Sequence, residues 1–200
     1  MQNPIDRRSF IRTTALASSG LLASSLLAQT TPVAPVPAMP ATPAQKPAPK
    51  PPALAPEKVQ ATVGKSHRSL PDVQALIAEN ALLVNSCWDW GGGDFETPLQ
   101  AAAHTGGREI AEFLLSKNAR LDIYGAGMLG MMGFVQAAMA ANPQIHLVPG
   151  PHGFTLLHCV KQGGEKSKPL YDWLIAQGVP EVFQRPLPYV WPAGTEPKAG

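Results

Sequence analysis

Glu96-Thr97-Pro98-Leu99-Gln100-Ala101-Ala102-Ala103-His104-Thr105-Gly106 is the stretch that decides the fold. Thr97-Pro98 reads as a helix start, with the Thr hydroxyl as N-cap and proline at the first helical position. Ala101 to Ala103 let that helix approach its neighbours closely. Gly106 ends it without a Cβ penalty. Beyond it, Ile110, Phe113 and Leu114 form an apolar stripe at helical spacing that stops at Asn118. The segment therefore predicts two short helices joined by a tight turn.

A second stretch follows the same plan. Gly153-Phe154-Thr155-Leu156-Leu157-His158-Cys159-Val160 leads to a helix-ending Gly164, a short insertion from Glu165 to Lys168, and a second apolar run, Leu170, Tyr171, Trp173, Leu174 and Ile175. Both stretches resemble the ankyrin-repeat pattern T-P-L-H-x-A-A-x-x-G, with Leu156 in place of the second proline and Asn118 in place of a closing glycine. Two weaker units complete the register. Glu57 to His67 and Pro71 to Ile77 make an N-terminal pair closed by Val84-Asn85. Ala126, Gly130 and Phe134-Val135 mark a degenerate unit that stops before Asn142-Pro143.

Four units of about 33 residues predict roughly 132 residues, which agrees with the foldable length. Each unit leaves an apolar face open that only stacking buries. The fold class expected is all-α, an ankyrin-like helical solenoid over residues 57–180. Residues 181–200 are Pro-rich and read as an irregular cover on the last unit.

The N-terminus carries a different signal. Arg7-Arg8-Ser9-Phe10-Ile11-Arg12 precedes a weakly apolar stretch, Thr13 to Leu27, and then Ala28. A charged start, a short apolar core and a small residue define an export signal over 1–28. The paired arginines resemble the twin-arginine (Tat) signal, which is read by a receptor, against an ordinary export signal or an uncleaved anchor. The resemblance implies a periplasmic or otherwise exported protein. Residues 29–56 form a Pro/Ala-rich spacer, with ten prolines between Pro32 and Pro56. That density favours extended polyproline II. It serves either as a stand-off or as a passive tail.

Charge argues against nucleic acid. Without 1–28, which hold Arg7, Arg8, Arg12 and Asp6, the chain keeps 13 basic and 13 acidic residues, so no basic footprint remains. Outside the export segment no uncharged apolar run is long enough to span a bilayer, so no stable membrane insertion is expected after cleavage. The two cysteines, Cys87 and Cys159, fall about two units apart, too far to bridge, and read as two buried or partly buried thiols.

The local motifs give no chemistry. Gly125-Ala126-Gly127-Met128-Leu129-Gly130 has the dinucleotide-loop form G-x-G-x-x-G. No Asp or Glu occurs between Asp122 and Glu165 to hold a ribose, so no cofactor is expected. His67, His104, His146, His152 and His158 show no paired metal spacing, so no metal and no catalytic residue are expected. His158 resembles the repeat's structural histidine, and His104 reads as a surface or capping group. The Met128, Met131, Met132 and Met139 run suits core packing or an adaptable surface. The glycines around it make that unit the softest expected part of the array.

The segment Cys87-Trp88-Asp89-Trp90-Gly91-Gly92-Gly93-Asp94-Phe95-Glu96 falls in the finger between the first two units. It reads either as a recognition loop, since aromatic residues dominate binding hot spots, or as a turn whose Trp88 and Phe95 pack on the helices. A second finger is Pro149 to Gly153. The resemblance implies a non-catalytic module that binds a protein partner through its fingers and concave face. The candidate partner-binding residues are Trp88, Asp89, Trp90, Asp94, Glu96, Tyr124 and His152. The alternative is an exported enzyme or small-ligand-binding protein that uses the Trp88–Glu96 loop and the glycine-rich 125–133 segment.

Overall fold

A computed structural model describes Lys50 and residues 52–187. The export segment, nearly all of the spacer, and Tyr189 and Trp191 lie outside the described residues. Eight helices follow in order: α1 (Pro56–Lys65), α2 (Leu70–Glu79), α3 (Pro98–Thr105), α4 (Arg108–Ser116), α5 (Ile123–Leu129), α6 (Met132–Ala141), α7 (Leu156–Gln162) and α8 (Lys168–Ala176). They form four consecutive pairs, as the repeat register predicts. Between α2 and α3 stands a small antiparallel hairpin, β1 (Trp88–Asp89) and β2 (Phe95–Glu96), with Trp88 opposite Glu96.

The caps explain why the first helices begin where they do. In α3, Thr97 Oγ1 accepts from the Gln100 amide and Gln100 Oε1 accepts from the Thr97 amide, a reciprocal capping box. Asp122 caps α5 through Gly125 N–H, and Thr155 caps α7 through His158 N–H. Gly106 takes the left-handed conformation that closes α3, with φ 76°. Asn118 takes the same role at the end of the second pair, with φ 66°, which is why asparagine can stand where the repeat pattern has glycine. Asn85 then ties adjacent units: its amide donates to Asn118 O and its Oδ1 accepts from Arg120 N–H.

The first helices of successive units pack side by side, α1 on α3, α3 on α5 and α5 on α7. In addition α3 touches α7, so the second and fourth units meet directly. This goes beyond the nearest-neighbour contacts of a regular solenoid. Small residues in α5 allow it. A Cβ on Gly125 would stand 3.1 Å from Leu99 Cδ2, and one on Gly127 would stand 2.7 Å from Leu156 Cδ1. Gly125 and Gly127 are therefore packing residues wedged between α3 and α7, and Gly130 is the left-handed cap of α5.

Leu99, Leu114, Met128, Leu156, Leu157, Leu170 and Leu174 fill the core. Met128 is buried, Met132 and Met139 lie half-buried against the core, and Met131 is exposed, so the methionine run divides between packing and surface.

One side chain fastens three units together. Arg108, at the start of α4, donates to Met128 O (3.0 Å), Leu129 O (3.3 Å) and Gly163 O (3.4 Å). A guanidinium at the C-terminal ends of two helices satisfies orphan carbonyls and meets the negative end of each dipole.

Residues 182–187 lie across the entrance to α7. Thr155 N–H donates to Phe183 O, Arg185 N–H donates to Gly153 O, and Phe154 bridges Gln184. Both cysteines are free thiols. Cys159 is buried, and desolvation pushes its thiol well up. Cys87 corrects the expectation of two buried thiols: it is exposed, because the chain leaves the core after Ser86 to make the hairpin. No helix among the described residues is long and apolar enough to cross a membrane.

Candidate functional site

The fold brings four residues from four separate places to one point. His67 lies just past the end of α1, His104 near the end of α3, Glu96 on β2 and His152 on the second finger. One ligating atom from each lies within 4.8 Å of all the others.

Glu96 is the centre. Its carboxylate is fully buried. Oε1 lies 2.8 Å from His104 Nε2 and 3.6 Å from His152 Nε2. Oε2 accepts from the Trp90 indole at 2.7 Å and lies 3.5 Å from His67 Nε2. The pleat places it there: Phe95, its neighbour on β2, faces outward with 60% of its surface exposed while Glu96 points in.

Each imidazole is held from behind. His67 Nδ1 sits 3.2 Å from Val63 O and 3.1 Å from Gly64 O. A carbonyl only accepts, so this nitrogen carries the proton. His152 Nδ1 is 2.6 Å from Asp94 Oδ2, and its backbone N–H donates to Asp94 Oδ1 at 2.8 Å. One carboxylate thus grips both ring and backbone, and holds His152 in a left-handed conformation of φ 57°. Gln184 adds a bond to His152 O. His104 stacks on Phe154, which stacks on His158. His158 Nε2 donates to His104 O at 2.9 Å, the inter-repeat bond its position in the pattern implies.

With Nδ1 of His67 and His152 both donating backward, Nε2 is the nitrogen of each ring that faces Glu96 and is placed to ligate. His104 Nε2 faces both Glu96 Oε1 and, at 3.2 Å, His67 Nε2. A single N–H there serves one of them.

The cluster opens outward. A pocket of about 530 Å³ is lined by Gly64, His67, Arg68, Trp90, Thr105 and His152. His67 and His152 keep 22% and 29% of their side chains exposed, so both rings reach that pocket.

The sequence candidates separate under this geometry. Asp94, Glu96, Trp90 and His152 come together as one network. Trp88 is half-buried against the core. Asp89 is exposed, and its Oδ1 accepts from Gly91 and Gly93 N–H to shape the hairpin turn. Two residues need correction as partner contacts. Glu96 is fully buried, and Tyr124 is buried with its hydroxyl donating to Val148 O and its ring against Gly150. Neither presents a surface to a protein. His104 is likewise buried rather than a surface cap. Local spacing missed His67 and His104, although the repeat register carried a signal. Both lie at the end of a first helix in adjacent units, and such positions stack.

A family model for the ankyrin repeat matches residues 94–125. Over those residues the chain is similar to an ankyrin repeat. The matched residues run from Asp94 through α3 and α4 to Gly125, and so include Glu96 and His104. No curated protein and no solved structure matches the chain. Ankyrin repeats serve generally as protein–protein interaction modules, and the four packed helix pairs extend that architecture across the described residues.

Proposed function

We propose that this protein is an exported interaction module that recognises a protein partner through its first finger. The observation that carries the reading is the hairpin within an ankyrin framework. It presents Phe95, 60% exposed, and one side of Trp90, 39% exposed, to solvent. Exposed aromatic side chains on a rigid scaffold are the usual anchors of an interface. The twin-arginine pattern at Arg7-Arg8 supports export.

Two measurements test this. Phe95→Ser leaves the buried network intact. It is expected to abolish capture of the partner that the wild-type chain retains from periplasmic extract, with the helical circular dichroism unchanged. Equal capture by both proteins would remove the finger from the interface. Replacing Arg7 and Arg8 by Lys is expected to trap the protein in the cytoplasm, seen by fractionation, and unchanged export would refute the twin-arginine route.

The histidine pocket favours a second reading, a small-ligand-binding or catalytic role at the same end of the molecule. Three imidazoles around a buried carboxylate, two of them reaching a pocket, are a chemical site that a pure interaction surface does not need.

A further inference from the structure

We infer that His67, Glu96, His104 and His152 form a binding site for one divalent first-row transition-metal ion, of the imidazole-favouring kind represented by Zn²⁺. This goes beyond the interaction reading and does not depend on it.

Distances come first. Tetrahedral ligands at about 2.0–2.1 Å from a zinc ion stand roughly 3.3–3.4 Å from one another. The cluster gives 3.2 Å between His67 and His104 Nε2, and 2.8, 3.5 and 3.6 Å from Glu96 oxygens to His104, His67 and His152. These separations bracket the expected edge. All four ligating atoms lie within 4.8 Å of one another.

Electron pairs come second. His67 and His152 are both fixed in the tautomer that leaves Nε2 free to ligate, one by main-chain carbonyls and one by Asp94. Backing of a ligating histidine by a carboxylate or carbonyl is what orients metal ligands and raises their basicity. Three imidazole nitrogens and a carboxylate converge on one point, which a single cation would bridge. A proton satisfies one contact, whereas a metal ion satisfies four.

Ligand type comes third. Three imidazoles and one carboxylate suit zinc, copper, nickel or iron, while the oxygen-seeking magnesium and calcium prefer carboxylates, carbonyls and water. The pocket beyond His67 and His152 leaves room beside the four protein ligands for a water or a small molecule as a fifth.

The test uses the full chain, untagged, carrying Cys87→Ser so that the surface thiol does not contribute, and stripped with chelator. Calorimetric titration with Zn²⁺ is expected to show one equivalent binding below about 1 µM, with Mg²⁺ and Ca²⁺ failing to compete. Co²⁺ in its place is expected to give visible absorption of a low-coordinate, nitrogen-rich site distinct from the aqueous ion.

Asp94→Asn, a positioning change, is expected to weaken Zn²⁺ roughly 10–100-fold at unchanged stoichiometry and to alter the Co²⁺ spectrum. His152→Ala removes a ligand and is expected to weaken it further. Thermal melts in chelator establish that each variant is folded. Should His152→Ala fail that check, Asp94→Asn and the wild-type Co²⁺ spectrum decide the matter. Absence of a tight equivalent in the folded wild-type chain overturns the proposal and leaves a proton-satisfied hydrogen-bond cluster. Undiminished binding in the folded variants overturns it equally, by placing the ion elsewhere.

Discussion

Replacing Gly163 by alanine is expected to destabilise the fold by at least about 3 kcal/mol, roughly 10 °C in melting temperature for a domain of this size. Gly163 follows α7 with φ −68°, so its conformation suits any residue and only space demands glycine. A Cβ there would overlap Met128 O and Ser167 Oγ. Both atoms belong to the knot where units two, three and four meet. Met128 O accepts from Arg108 at 3.0 Å and from Ser167 at 2.6 Å. Main chain cannot rotate away as a side chain can, so α5 and α7 must part and the Arg108 bonds stretch with them.

Gly133→Ala is the internal control. Nothing lies within 4 Å of its added methyl, and it sits inside α6. There the same substitution is expected to raise stability by about 0.5–1 kcal/mol, because alanine loses less chain entropy in a helix. Denaturant melts of the two variants should move in opposite directions. A mild effect at Gly163 would mean the junction is looser than its packing indicates.

The helices were legible because their start and stop signals are local. Thr97-Pro98 with Gly106, and Thr155 with its following apolar run, state the repeat within a dozen residues each. The third unit was harder to see because its glycines contradict helix propensity. They make sense only once Leu99 and Leu156 are known to press on Gly125 and Gly127 from either side. Tertiary contact overrides propensity there.

The site was less legible for a related reason. Its four members are spaced 29, 8 and 48 residues apart, and no motif has that spacing. Repeat stacking brings His67 beside His104. A finger folding back adds Glu96 and Asp94. The direct approach of the fourth unit to the second delivers His152. That last contact lies outside the nearest-neighbour logic of repeats, so a reading built on that logic assigns His152 to a free finger tip. Phe95 shows the converse. Alternation along a two-residue strand decides which of Phe95 and Glu96 faces solvent, and the register that sets it is invisible before the hairpin is seen.

Glu96→Ala is expected to cost about 2–5 kcal/mol when measured in chelator, because two hydrogen-bond partners lose their acceptor at about 1–3 kcal/mol each. The side chain accepts from Trp90 Nε1 at 2.7 Å and meets His104 Nε2 at 2.8 Å. Alanine strands both nitrogens in a desolvated space and leaves a cavity between the hairpin and α3. An unpaired buried donor costs about 1–3 kcal/mol in its own right. Glu96→Gln keeps the volume and an oxygen for one of the two donors, so its cost should fall to roughly 1–2 kcal/mol. Chelator matters because any bound cation would add its own linkage to the wild-type value. If both substitutions were neutral, Trp88 packing and the Asp94–His152 bonds would be enough to hold the hairpin. The ordering of alanine well below glutamine instead ties the finger to the repeat core through one carboxylate. In that case the surface offered to a partner and the cluster behind it share Glu96 as a structural support, and a change in one must be felt by the other.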